Sequence, residues 1–264
     1  MSLIKEFKKP KLNNPILIEG LPGVGNIGRV VAGYLIKELK MEKFAQLYSE
    51  HFFPFVMVHD KYKTHLLKNE LYYWKAKKKG QRDIIVLTGD CQSLSPNGHY
   101  VVMDKILDFV EKYKVKDIIT VGGLATGELE AEPRTLGAVT HDELIKKYKN
   151  FNIKFAAGEK VGYIVGAAGL LLGLGAERGM KGVCLLGETS GFPIVTDPKA
   201  AEVVLKSLTK ILNVKVDFKR LDERIKEMEK FIKKVESLQR KAIMEMGKEE
   251  KAPVSGKEQL RYIG

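Results

Sequence analysis

Apolar residues recur along this chain in blocks whose period changes from one block to the next. PILIEG, residues 15 to 20, is a short apolar run between turn residues and predicts a buried strand. VVAGYLIKEL, which follows, carries Val30, Val31, Tyr34 and Leu35 at helical spacing, so the order is strand, loop, helix. Between residues 51 and 88 the pattern breaks into short β-rich pieces, FFPFVMV, THLL, ELYYW and IIVLTG, with KAKKKG as a polar turn before the last. That stretch predicts a meander with no crossover helix. YVVMDKILDFVEKY then places Val102, Ile106, Phe109, Val110 and Tyr113 on one helical face, and KDIITVGG reads as a further buried strand.

VGYIVGAAGLLLGLG predicts the next helix, with Gly166, Gly169 and Gly173 on one face for close approach of a neighbouring backbone. KGVCLLGETSG supplies another strand. Asp197 followed by Pro198 has the chemistry of an N-cap with proline at the first helical position, opening a helix through Leu212. The compact α/β core is expected to span residues 1–213. From 214 to 246 a stripe of Leu221, Ile225, Met228, Ile232, Val235, Ala242 and Met246 predicts an amphipathic helix of roughly eight turns. Such a stripe has to be covered by the body or by another copy of the chain, so Leu221, Ile225, Met228, Ile232 and Val235 are candidate oligomer contacts. Residues 247–264 lose periodicity, gather glycine, proline, lysine and glutamate, and read as a flexible tail closing on Leu260, Tyr262 and Ile263.

Composition narrows the function classes. The 264 residues carry a formal charge of +12, which raises the question of a polyanionic partner. The charge is spread: residues 214 to 264 hold 14 basic and 10 acidic side chains, and the densest cluster, Lys75 with Lys77 to Lys79, falls in a predicted turn. A solvated lysine surface accounts for that, and nucleic acid is not the expected partner. Cys91 and Cys184 are too few and too far apart for a disulfide framework or a zinc site, so no metal is expected and a reducing cytoplasm fits. The longest uncharged run, Val161 to Ala176, reaches about 24 Å as a helix, short of a ~30 Å hydrocarbon layer, so no membrane span is expected.

The candidate sites each have a plainer reading. In GLPGVGNIG the residues Gly23, Gly25 and Gly28 have G-x-G-x-x-G spacing between a strand and a helix, with Glu50 at the ribose-binding offset. A dinucleotide fold needs continued strand and helix alternation, which residues 51 to 88 lack, and Glu19 would set a like charge near the phosphates. These glycines are therefore read as a structural loop for a tight turn and close helix packing, with no cofactor expected. Glu128, Glu130 and Glu132 beside Thr126 and Gly127, and Glu188, Thr189 and Ser190 in GETSGF, lie where α/β enzymes often keep acids and bases. His51, His59, His65, His99 and His141 show no metal-binding or triad spacing, and no catalytic residue is assigned.

GLPGVGNIG after PILIEG, then LTGDCQSLSPNGHY, ITVGGLATGE, IVGAAGLLLGLG, LLGETSGF and a tail ending LRYIG, taken together over residues 15 to 213, resemble an archaeal member of the proteasome assembly chaperone family. The resemblance implies an α/β sandwich with a mixed sheet, similar to nucleoside phosphorylases, without evident catalysis, whose members form homo- or hetero-oligomers; a homo-oligomer is expected here. It further implies a partner, the α ring of the 20S proteasome, entered by a hydrophobic-Tyr-any tail, which maps onto Leu260, Arg261, Tyr262, Ile263 and Gly264. This sequence departs from that pattern: Tyr262 is third from the end and Arg261 stands where a hydrophobic residue is expected. One residue of register displaces the terminal carboxylate by roughly 3.5 Å. The rival reading is a ligand-binding protein or enzyme that uses the glycine loop for an anionic group, and the next a basic nucleic-acid binder.

Overall fold

A computed structural model of the protein describes residues 2–58, 63–127, 132–155, 162–191 and 196–221, with Glu223, Lys234, Ser237, Leu238, Arg240, Lys241 and Met244 as separate positions. Its centre is a nine-stranded mixed sheet. In chain order the strands are β1 (Leu3–Glu6), β2 (Ile16–Glu19), β3 (Glu42–Tyr48), β4 (Val56–Val58), β5 (Thr64–Leu66), β6 (Asn69–Trp74), β7 (Ile84–Gly89), β8 (Asp117–Ala125), β9 (Thr135–Val139), β10 (Ile153–Lys154) and β11 (Lys181–Thr189). The large sheet runs β1-β3-β6-β7-β2-β8-β11-β9-β10, and β4 and β5 form a separate hairpin.

Strands β7, β2, β8 and β11 are mutually parallel. They are the near-continuous apolar runs of the sequence, as strands covered on both faces must be. Alternation along each strand splits its side chains between two cores. Ile16 and Ile18 join one, with helices α1 (Ile27–Glu38) and α5 (Pro198–Leu212). Leu17 joins the other, with α2 (Pro96–Glu111) and α4 (Ala167–Glu177). A short helix α3 (Glu143–Tyr148) adds Leu144 and Tyr148 to the first core. The result is a three-layer α/β/α body with the mixed sheet inside it.

Local chemistry sets the helix starts. Asp197 caps α5 by accepting the Ala200 N–H at 3.0 Å, with Pro198 at the first turn as predicted. Ser95 caps α2 in the same way through the Gly98 N–H at 3.1 Å, ahead of Pro96. The dinucleotide alternative is excluded by topology. The strand after α1 is β3, which pairs antiparallel with β1 and β6 and is separated from β2 by β6 and β7.

Several expectations change. The stretch 51 to 88 contains no helix among the described residues, but only β6 and β7 join the large sheet, where the antiparallel meander is β3-β6-β7, and β4 and β5 pair with each other. Helix α4 begins at Ala167, so Gly166 lies ahead of it in a left-handed turn (φ +77°) and does not share a face with Gly169 and Gly173. A side chain on Gly169 would strike the carbonyl of Ile164 in the chain's own loop, and Gly173 faces open space. The glycine that lets this helix approach the sheet is Gly175, where a Cβ would lie 2.6 Å from Ile118. The packed body also continues beyond residue 213: Val214 and Leu221 are buried in the first core. The amphipathic segment beyond Leu221 falls mostly outside the described residues; Lys234, Ser237, Leu238, Arg240, Lys241 and Met244 are helical.

Candidate functional site

The carboxyl ends of β2, β7 and β8 open into a cavity of about 860 Å³. Beside the parallel centre of an open α/β sheet this is where ligands generally bind, because the loops leaving neighbouring strands diverge there. Its floor is Glu19, the last residue of β2. Its walls are the glycine-rich loop that follows β2, the end of β8 and the residues ahead of α4, and Arg240 reaches it from the carboxy-terminal segment.

The loop GLPGVGNIG is shaped by close packing. Gly25 adopts φ +62°, a left-handed conformation that costs a side-chain-bearing residue energy. Gly28, on the first turn of α1, lies so near the sheet that a Cβ would stand 2.5 Å from the Val121 carbonyl. Gly23 is looser, its nearest prospective neighbour being Gln92 at 3.8 Å. Gln92 then ties the cavity rim together. Its Nε2 donates to the Pro22 carbonyl at 2.6 Å and its Oε1 accepts the Ala167 N–H at 2.9 Å, linking the loop after β2 to the start of α4. Arg29 of α1 donates from Nη2 to the carbonyls of Gly89, at 2.9 Å, and Asp90, closing the end of β7.

Glu19 is 1% exposed. Its Oε1 accepts the Leu21 N–H at 2.9 Å, while Oε2 has no hydrogen-bond partner among the described residues. Burial pushes its carboxyl up to about 8, the backbone N–H groups of Leu21 and Val121 offsetting only part of the desolvation, so at neutral pH the group is largely a neutral acid. Ser93 and His99 also line the cavity, and their buried Oγ and Nδ1 have no hydrogen-bond partner among the described residues. His99 is held below its ordinary value by burial and is neutral too. Cys91 is no nucleophile here, because burial, aided by the Asp90 charge, pushes its thiol up to about 12.

The other sequence-derived candidates scatter. Glu188 is fully buried and accepts from the Arg134 backbone N–H at 3.1 Å, from Nε at 2.7 Å and from Nη2, which makes it a structural ion pair. His65 lies 3.4 Å from Asp90, His141 bonds Thr140, and His51 packs on Gly98. Glu132 is exposed, and His59, Glu128 and Glu130 lie outside the described residues. Leu221, one of the candidate oligomer contacts, is 3% exposed and covered by the chain's own core, which removes it from that stripe. Ile225, Met228, Ile232 and Val235, and the tail Leu260, Arg261, Tyr262, Ile263 and Gly264, lie outside the described residues. Among the described residues there is no cluster of metal-ligating side chains and no helix long and apolar enough to cross a membrane. Sequence reasoning missed the grouping of Glu19, Ser93 and His99, since no motif links a strand end, a loop and a helix start.

Fold and site together define an α/β/α body with a cavity at the carboxyl ends of its parallel strands. Residues 17–236 match the PAC2 family, and the chain belongs to it. Among solved structures it is similar to Pyrococcus furiosus PbaB, an archaeal proteasome activator, at 45% identity and a TM-score of 0.81, covering 89% of this chain and 98% of that one. It is also similar to Pyrococcus furiosus PbaA, an archaeal homolog of proteasome-assembly chaperone, at 26% identity and a TM-score of 0.73, covering 92% and 99%. An uncharacterized protein of Methanocaldococcus jannaschii is 39% identical over 253 residues, 96% of this chain and 93% of the relative.

Proposed function

We infer that this chain is a non-enzymatic proteasome assembly chaperone or activator that engages the α ring of the 20S proteasome through its carboxy-terminal tail. The observation that carries the reading is the likeness to PbaB over nearly its whole length. The chemistry of the tail supports it. Leu260, Tyr262 and Ile263 follow a glycine- and charge-rich tether, so an apolar anchor with one phenolic hydroxyl and a terminal carboxylate can enter a pocket between subunits. Arg261 adds a cation where the resembled tails carry an apolar side chain, and Gly264 gives the last residue the freedom to bring the carboxylate back into register.

Several tails on one homo-oligomer raise effective concentration, so weak single anchors sum to useful avidity. The stripe of Ile225, Met228, Ile232 and Val235 is the surface proposed to hold the copies together, in the cytoplasm where the proteasome works. Removal of residues 260–264 tests the reading in a pull-down on purified α rings. The expected result is an unchanged circular dichroism spectrum and oligomer mass with loss of capture; retained capture rejects the tail as the docking element.

A further inference from the structure

The cavity at the ends of β2, β7 and β8 is edged by apolar side chains that stand in water. Val24, Tyr163 and Val165 line it and are 37%, 82% and 78% exposed. Leu21, Phe53, Val121, Leu124 and Ile164 continue the apolar lining. Single exposed apolar residues are ordinary on a protein surface, but a group gathered on the edge of one apolar space marks a surface that something covers. At about 860 Å³ the space exceeds a single side chain and falls among pockets that enclose a whole ligand.

Charge at the lining suits a carboxylate. Glu19 is held as a neutral acid and His99 as a neutral ring. The Asp90 carboxylate accepts the Lys68 N–H at 3.1 Å and lies 3.4 Å from His65, and Arg29 donates to the carbonyls that close β7. Arg240 is exposed and adds a solvent-facing guanidinium to the lining. An apolar segment that ends in a carboxylate meets both the walls and that cation.

The course of the chain supplies such a segment. Lys234 Nζ donates to the Val58 carbonyl at 2.7 Å, Leu238 packs against the second core and Arg240 lines the cavity itself, so the carboxy-terminal positions pass beside it. The sequence closes twenty residues past Met244 on Leu260, Arg261, Tyr262, Ile263 and Gly264. A coil of that length spans roughly 25 Å. A ligand tethered so near its pocket is present at an effective concentration on the order of millimolar, and even a weak contact is then mostly made. We propose that the cavity is a docking pocket for the chain's own carboxy-terminal end, which sheathes Tyr262 behind Val24, Tyr163 and Val165 until a partner draws it out. As regulation of the docking element this rests on the proteasome reading; the contact itself is measured without the proteasome.

The test is calorimetry of the synthetic peptide LRYIG with full-length protein carrying Tyr262→Ala, whose own tail no longer competes. The expected result is binding to Tyr262→Ala about ten-fold tighter than to the wild type, whose pocket its own tail already fills. Val165→Asp changes a side chain that stands in water, so circular dichroism is expected to stay unchanged. Added to Tyr262→Ala, it is expected to weaken the peptide at least ten-fold. An amide in place of the peptide carboxylate, or Arg240→Gln, is expected to weaken it several-fold. Absence of peptide binding to Tyr262→Ala, equal affinity of that variant and the wild type, or affinity indifferent to Val165→Asp would each overturn the proposal. A wild-type affinity that varies with protein concentration would place the tail in another copy and overturn the intramolecular contact. If the α-ring pull-down fails while the peptide binds as expected, the pocket stands and only its link to the proteasome falls.

Discussion

Arg134 and Glu188 form an ion pair at the join of two strands: a fully buried carboxylate at the end of β11 takes three hydrogen bonds from one arginine just ahead of β9. The pair fastens the antiparallel strand β9 to the parallel core. Removing the guanidinium takes two charge-assisted hydrogen bonds from a buried carboxylate, a change that typically costs about 3–5 kcal/mol. Arg134→Ala is expected to lose stability of that order in urea unfolding. The double variant Arg134→Met with Glu188→Leu is expected to recover most of it, because apolar side chains then fill the site.

Glu19 makes stability depend on pH. Its carboxyl moves from an ordinary 4.5 to about 8 on folding, so the folded state binds the proton more tightly than the unfolded chain. The stabilising contribution of that proton is complete below about pH 4.5 and is lost as pH rises toward 8, with a slope of up to about 1.4 kcal/mol per pH unit. Unfolding free energy is therefore expected to fall between pH 6 and pH 8. Glu19→Gln is expected to flatten that slope. Holding the range below 9.0 keeps it clear of the thiols Cys91 and Cys184, which burial drives to about 12 and which add their own loss at higher pH.

The capping residues Ser95 and Asp197 are open to simple substitution. Each satisfies one of the free N–H groups at the start of its helix. Ser95→Ala and Asp197→Ala are each expected to cost about 1 kcal/mol, read as a drop of a few degrees in Tm with no change in oligomer mass.

Gly28 gives a sharper loss. With a Cβ only 2.5 Å from the Val121 carbonyl, Gly28→Ala has to push α1 off β8, and both elements are core. A destabilisation of several kcal/mol is expected, visible as low-temperature unfolding. Gly173→Ala, at a position with open space beside it, serves as the control and is expected to be neutral or slightly stabilising.

Much of this architecture is legible in the sequence wherever one residue run decides the outcome. β2, β7, β8 and β11 are near-continuous apolar runs, and α5 carries its own start signal in Asp197 and Pro198. β1, β3, β9 and β10 are harder to read. Leu3–Glu6 and Ile153–Lys154 are short edge strands, and EKFAQLY in β3 mixes charged with buried residues because its partners lie on either side at long sequence separation. The start of α4 is hidden in the sequence because Gly162 to Val165 is as apolar as the helix itself, and only the left-handed turn at Gly166 separates the two. The cavity lay beyond sequence reasoning for a related reason: Glu19 read as a like charge near a phosphate site, and its neutral state comes from burial that only the assembled sheet creates.

Tyr262 is the side chain on which proteasome docking is proposed to depend. Binding of the full-length protein to immobilised proteasome α rings, compared between wild type and Tyr262→Ala by surface-based kinetics, tests it most directly. At least a ten-fold loss of affinity for Tyr262→Ala, with folding and oligomer mass unchanged, is the expected result; equal affinity of the two proteins would contradict the claim that this chain acts on the proteasome through its tail.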